Sequence, residues 1–268
     1  MLHELLIKDL RATAGFVERN FNLIKRYLGW EIVFMVYTIV NTITIGLIGV
    51  TSGDPQKVVF LIIGALLWGF LSIIFHEVAE CISWERWEGT IEFTFMAPAK
   101  RITYLFGMCT YAVIYGLIRS AIVLLFIILF FKIELNNVNV LSAVTIVIVS
   151  SFSFIGMGLI AAVFPLLSPE KGSQATHIFQ AIILLISGVY YPISVLPGWM
   201  QKLAFLSPAT YTLRAVRAAV LEGAPIGTLI NDVVILVILG IVLIPLGYLI
   251  FSLGEKHAKT VGKLNRNG

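Results

Sequence analysis

Apolar residues along this chain are gathered into long blocks, not spread at the spacing of a soluble helix or strand. Runs close to the roughly 20 residues that cross the hydrocarbon of a bilayer fall at 30–50, 58–79, 102–131, 139–166, 175–191 and 231–252. Turn-forming and charged stretches separate them: TSGDPQK after the first, NNVN before the fourth, LLSPEKGS before the fifth. The blocks predict an all-α polytopic membrane protein with six transmembrane helices, occupying residues 29–254.

Three segments break the block pattern. Over residues 1–28, Leu10, Phe16, Val17, Phe21 and Ile24 recur near helical spacing, with Lys8, Arg11, Arg19, Lys25 and Arg26 between them. That arrangement predicts an amphipathic helix in the membrane interface, its basic side toward anionic headgroups. It serves either as a plain anchor or also as a contact for a cytoplasmic partner. The second segment is WERWEGTIEFTFMAPAKR, residues 84–101. Trp84, Trp87, Ile91 and Phe95 stand three and four apart, which predicts a short helix over 84–98 with its apolar face on the membrane domain. Glu85, Arg86, Glu88 and Glu92 then reach the cytoplasm, Gly89 and Thr90 permit close backbone contact, Pro98 ends the helix, and Lys100 and Arg101 anchor the next span.

The third segment, 192–224, is too polar to span and too apolar for a simple loop. Pro192, Pro197 and Pro208 divide it into two short helices, LPGWMQKLAFL and PATYTLRAVRAAVLEG. Such helices can re-enter the membrane where protein or water satisfies their backbone. They form either a lid over an exit path, with Pro192, Pro197, Trp199 and Tyr211 as its gate residues, or a cap resting on the outer surface.

Charge sets the orientation. With both termini inside, the inner segments hold most of the 19 lysines and arginines, leaving Lys57, Lys132, Lys202, Arg214 and Arg217 outside and Arg119 within a span. This is the positive-inside bias, and the tail 255–268 is basic and cytoplasmic. Composition agrees: 59% of residues are apolar and 13% charged, with a mean hydropathy of +0.95, whereas soluble domains are nearer half apolar and a quarter charged. The formal charge of +4 is too small and dispersed for nucleic acid. Cys81 and Cys109 make no CxxC pair and read as small buried residues in a reducing compartment. Residues 1–20 keep charges throughout, unlike a cleavable signal.

Candidate chemistry is sparse. HEVAE, residues 76–80, departs from the HExxH zinc-protease pattern because Glu80 stands where the second histidine belongs. Ser150, Ser151 and Ser153 have neither a GxSxG setting nor an evident base. Arg119, mid-span, is costly in lipid and must face protein or water. It is either a functional residue on a substrate path or a structural one. Asn41, Thr42 and Thr44 form a polar patch in the first span; Asn41 and Thr44 either touch substrate or hydrogen-bond between helices. There is no GxxxxGK[ST] phosphate loop, so ATP-driven work falls to another chain.

In this order the chain resembles the permease subunits of ABC exporters of the type 2 class, including the daunorubicin-resistance-like group. The residues carrying the likeness are Glu85-Arg86 with Gly89-Thr90-Ile91-Glu92 and Pro98, then Pro192, Leu196-Pro197 with Trp199, Pro208 with Thr210-Tyr211, and Arg217 with Gly223. The resemblance implies a half-size permease of the cytoplasmic membrane that pairs as a homodimer and binds two copies of an ABC ATPase. ATP and Mg sit on that partner, and this chain binds no cofactor. The helix after the second span docks in the ATPase; the residues matching that role are Glu85, Arg86, Glu88, Gly89, Thr90 and Glu92, with Trp84 beside them. Trp84 and Trp87 make the segment more aromatic than the motif requires. Apolar walls with few fixed charges favour hydrophobic or amphipathic cargo (drug, lipid or peptide). The alternatives are a lipid-linked polysaccharide exporter of the same fold, an intramembrane enzyme, or a passive channel or scaffold.

Overall fold

The computed structural model describes residues 2–97, 99–133 and 138–261, and among them every regular element is helical. Besides two short 3-10 turns at Ile193–Val195 and Ile226–Leu229, these are in order α1 (Leu2–Arg26), α2 (Leu28–Val50), α3 (Pro55–Trp87), α4 (Ile91–Met96), α5 (Arg101–Phe131), α6 (Val140–Ala161), α7 (Val163–Leu167), α8 (Pro169–Ile186), α9 (Gly198–Ala204), α10 (Pro208–Leu221) and α11 (Ile230–Thr260). Several starts are written locally. Asp54 caps α3 by accepting from the Gln56 N–H at 2.9 Å, and Pro55 takes the first position, where its missing N–H costs nothing. Asn139 caps α6 through the Ser142 N–H at 3.1 Å.

Among the described residues, five stretches are long and apolar enough to cross a membrane: Leu28–Val50, Pro55–Trp87, Arg101–Phe131, Val140–Leu167 and Ile226–Thr260. The run expected at 175–191 lies mainly in α8, which spans 18 residues, about 27 Å at 1.5 Å per residue. Its first half, PEKGSQATH, is polar.

Contacts reveal how the helices run. Gly46 and Gly49 of α2 meet Ile62 and Val58 of α3, so these two are antiparallel. Phe70 of α3 packs on Gly116 of α5 and Glu77 accepts from Tyr111, again antiparallel. Ile63 shares one core cluster with Ile146 and Val78 another with Leu159, so α3 and α6 run the same way. Ser72 and His76 of α3 face Gln180 and His177 of α8, which makes that pair antiparallel. Thus α2, α5 and α8 run one way and α3, α6 and α11 the other.

The tightest pair is α6 with α11. Gly240, Gly247 and Gly254 recur every seven residues along α11 and meet Phe152 and Leu159 of α6 and then Val163 of α7. Small residues let membrane helices approach until backbones touch. A Cβ on Gly247 would lie 2.6 Å from the Gly156 carbonyl oxygen.

At one end of the bundle, here called basal, the end of α3, the start of α5 and the end of α11 converge. Here α1 runs alongside α5 in the same direction: Asp9 pairs with Lys100, Phe16 packs on Tyr104 and Phe21 on Tyr111. Over this stretch α1 therefore shares the inclination of α5. At the opposite, distal end, α9 and α10 form the two short helices expected between the prolines. The expected tail begins at 255, but α11 continues to Thr260 and the Glu255 side chain is buried against the fold. Pro98, and the tail from 262 on, lie outside the described residues.

Candidate functional site

The basal tip is built by the overlong α3. Its 33 residues make about 50 Å of helix, well beyond the roughly 30 Å of hydrocarbon. The helix stops at Trp87, and Gly89 adopts φ 70°, a left-handed conformation that is costly for residues with a Cβ. The Gly89 N–H donates to the Arg86 carbonyl at 3.1 Å and the Thr90 N–H to the Glu85 carbonyl at 2.8 Å, a Schellman end. The chain reverses and forms α4. The single helix expected over 84–98 is therefore the last turn of α3, a glycine turn and a separate short helix.

That break overturns the expected facing of four residues. Trp84 and Trp87 are 57% and 55% exposed, whereas Glu85 and Arg86 are 5% and 0% exposed. The reason is helical phase. Val78 and Ile82 turn α3 toward the core, and Glu85 and Arg86 follow on that face, which puts the tryptophans outside. Gly89 resets the phase, so Ile91 is buried and Phe95 half-buried against the core, as expected. Glu88 and Glu92 are exposed, as expected.

The buried charges brace the tip. Arg19 of α1 pairs with Glu85 at 2.7 Å. Burial opposes the charge of Arg19, but the Glu85 carboxylate outweighs it and holds the guanidinium pKa above its usual value. Arg86 donates to the carbonyls of Pro165 at 3.1 Å and Leu166 at 2.8 Å, satisfying the end of α7. Arg101 donates to Glu255 at 3.0 Å and to the Thr94 and Phe95 carbonyls that end α4. Its guanidinium also lies 4.2 Å from the centre of the Phe95 ring. Lys259 completes this group at 2.6 Å from Glu255. Buried Asn20 links α1 to Met108 of α5 and Cys81 of α3. Sequence reasoning missed these ties. Arg19 and Glu85 are 66 residues apart, and Arg19 sits between the polar Glu18 and Asn20, so nothing local marks it as a buried partner.

What remains outward at the tip is Trp84, Trp87, Glu88, Glu92, Phe93 and Met96. The patch is apolar and acidic, on a turn tied to α1, α5, α7 and α11.

In mid-bundle, the Tyr115 hydroxyl donates to Glu31 at 2.5 Å, and Arg119 donates to the Tyr115 oxygen at 3.0 Å and to Thr38 at 3.1 Å. The nearby cleft, lined in part by Thr38, Thr42, Gly69, Arg119 and Ser120, measures only about 10 Å³, too little for cargo in this conformation. Asn41 and Thr44 are exposed on α2, and the residue of that helix to which Arg119 bonds is Thr38.

At the distal end, Pro192, Pro197 and Trp199 are exposed and Tyr211 is buried. The Tyr211 hydroxyl donates to the Phe205 carbonyl at 2.9 Å, joining α10 to the end of α9. Arg217 donates to the Gly188 and Val189 carbonyls at 3.0 and 2.5 Å and packs over the Phe60 ring. Burial lowers its pKa to about 10. Arg214 pairs with Asp232, whose hydrogen bond raises the pKa of Arg214.

HEVAE acquires a neighbour, because His76 lies beside His177 with ring centroids 5.9 Å apart. Among the described residues, no group of three or more His, Cys, Asp or Glu is placed to hold a metal. Ser150 and Ser151 donate to the Val147 carbonyl and Ser153 to that of Leu236, which are bonds that tie helix hydroxyls to backbone.

No curated protein matches the chain. The family model described as ABC-2 type transporter matches residues 15–221, from the second half of α1 through α10, including the basal tip and the distal cap. The chain belongs to the ABC-2 type transporter family, which makes it the membrane permease component of an ABC transporter, a component that normally works with an ABC ATPase partner.

Proposed function

We propose that this permease is an exporter of the daunorubicin-resistance-like kind, pairing with a second copy of itself and driven by two ATPase subunits at the basal tips. The observation that carries the reading is the outward patch of Trp84, Trp87, Glu88, Glu92, Phe93 and Met96 on a turn braced from within. In this reading the exposed residues touch the ATPase, Gly89 and Thr90 shape the turn, and Glu85 and Arg86 transmit force into α1 and α7. The α8 helix makes the sixth crossing, since it runs opposite to α3 and α11. Six crossings keep both termini on the cytoplasmic side of the inner membrane, the side carrying most of the lysines and arginines.

Cargo moves through the space between copies, past Arg119, and leaves beneath the distal cap with Pro192, Pro197, Trp199 and Tyr211 at its rim. It is hydrophobic or amphipathic, in keeping with apolar walls. The test is purification of the chain with its ATPase, followed by Glu88→Lys and Glu92→Lys. Loss of the co-purifying ATPase, or of cargo-stimulated hydrolysis, with the permease still inserted, is the expected result. Unchanged assembly and coupling in both variants would remove the docking role.

A further inference from the structure

We infer that His76 of α3 and His177 of α8 form an exchangeable site for a divalent transition-metal ion such as Zn²⁺ or Ni²⁺, and that an ion held there fastens the two helices together. The binding stands by itself; its effect on hydrolysis rests on the coupling reading above.

The HEVAE stretch has Glu80 where HExxH places its second histidine, and the fold supplies a second imidazole from another helix. The rings of His76 and His177 lie with their centres 5.9 Å apart and their planes inclined by 22°. A zinc–imidazole bond of about 2.0–2.1 Å puts each ring centre roughly 3 Å from a shared ion, and so the two centres about 5–6 Å from one another. Both residues are exposed, so their rings can turn toward a common ion at little cost in packing, and the ion reaches them from outside the bundle. The helices that carry them are held in register next to the pair. Phe75 packs on Phe179 with ring centres 5.9 Å apart, and Gln180 donates to the Ser72 carbonyl at 3.4 Å.

The surrounding charge favours a cation. Glu80, one turn beyond His76 on α3, is near enough to act electrostatically on His177, and Glu77 carries a second carboxylate; the Arg119 guanidinium of α5 acts on His76 in the opposite sense. Glu77 is engaged by Tyr111 of α5 at 3.1 Å, instead of standing over the pair as the base of a protease would. Two histidines are also fewer than the three protein ligands of a catalytic zinc, and no trio of ligands occurs among the described residues. What two neutral imidazoles hold is a labile ion with water in its remaining positions.

His76 lies about three turns, roughly 16 Å, before the end of α3 that bears Trp84 and Trp87. Helix α8 ends beside Gly188, where the chain turns toward the distal cap. An ion shared by the pair therefore ties the helix of the basal tip to the helix that leads to the cap and keeps the two at one spacing.

The experiment uses the full-length chain, without a polyhistidine tag, titrated in detergent with Zn²⁺ and with Ni²⁺ and followed by thermal midpoint and equilibrium dialysis. Both ions are expected to bind and to raise the midpoint, and a chelator to reverse the rise. His76→Gln and His177→Gln alter exposed residues, so the metal-free midpoint stays in place. Each is expected to weaken binding by at least the roughly 10- to 100-fold that loss of even an outer-shell partner costs. His257→Gln is the control that keeps the wild-type response. Should either variant fail to insert, the wild-type chain loaded with Cu²⁺ is read by electron paramagnetic resonance: coupling to two imidazole nitrogens is expected, and coupling to one or none overturns the site. A wild-type chain that binds neither ion, or a response kept by both variants, also overturns it and leaves the docking reading untouched, because no ATPase is present. With the ATPase reconstituted, Zn²⁺ is expected to slow cargo-stimulated hydrolysis in the wild type and not in His76→Gln. Equal inhibition in both, or none in either, overturns the fastening. The docking reading fails on a different result, unchanged coupling in Glu88→Lys and Glu92→Lys.

Discussion

Arg19, on the N-terminal helix, and Glu85, on the last turn of α3, are joined by a 2.7 Å ion pair across 66 residues of sequence. The carboxylate is almost wholly enclosed and the guanidinium partly so. The pair fastens the amphipathic arm to the basal tip, so that movement of one is felt by the other. Removing Arg19 strands a buried carboxylate, which costs about 1–3 kcal/mol. Arg19→Ala is therefore expected to lower the thermal midpoint of the detergent-solubilised protein and to expose α1 to protease. Arg19→Ala combined with Glu85→Gln recovers part of the loss. An unchanged midpoint in the single variant would show the pair to be idle.

Arg86 fills a more enclosed position, its guanidinium donating to the last carbonyls of α7. Lysine keeps the charge but cannot present a planar fork to two oxygens. Arg86→Lys is expected to insert in the membrane yet lose about 1.5–3 kcal/mol, the scale of hydrogen bonds to a charged group. The check is thermal unfolding alongside ATPase co-purification.

Gly89 separates α3 from α4 with φ 70°, and a Cβ there would meet no atom of the described residues within 4 Å. Any cost of Gly89→Ala therefore comes from backbone strain, about 1–2 kcal/mol, and not from crowding. The expected outcome is a folded protein with weakened coupling, because relief of the strain rotates Glu92 and Phe93 relative to Trp84. Coupled ATP hydrolysis at the wild-type rate would rule this out.

Gly247 tests the α6–α11 contact. A methyl group would press on the Gly156 carbonyl and on Leu159 at 2.6 and 2.8 Å. Gly247→Ala should cost about 1–3 kcal/mol through forced separation of the two helices. Gly227→Ala, where the added atom meets nothing within 4 Å, serves as the matched control in the same melting assay.

Arg119 makes one bond within α5 and one to Thr38 of α2. Interhelical hydrogen bonds in membranes average roughly 0.6 kcal/mol, so Arg119→Leu is expected to fold with a small stability change. Loss of efflux of fluorescent amphipathic cargo, with basal ATP hydrolysis retained, would mark it as a path residue; full efflux would mark it as structural.

Much of this molecule is readable along the chain, because a bilayer imposes local demands. Length and apolarity alone identify the α2, α3, α5, α6 and α11 spans, and the prolines at 192, 197 and 208 mark off α9 and α10. The apolar run at 175–191 is visible in the sequence, but the polar first half of α8 keeps that helix out of the stretches long and apolar enough to cross. The basal segment was recognisable as a segment and misread in its facing. Helical spacing joined Trp84, Trp87, Ile91 and Phe95 into one stripe, whereas Gly89 interrupts the helix and the core side of α3 sets the phase up to Trp87. Glu85 and Arg86 look like solvent residues because their partners, Arg19 and the α7 carbonyls, lie some 66 to 80 positions away.

The sequence by itself determined that the chain is a bundle of membrane helices and where the more polar, proline-marked segments between them lie, since partition into hydrocarbon is summed residue by residue. Only the tertiary structure decided which charges are buried as braces and which aromatics face outward. Those outcomes depend on which helix face meets which, and that is set by contacts between residues far apart in the chain.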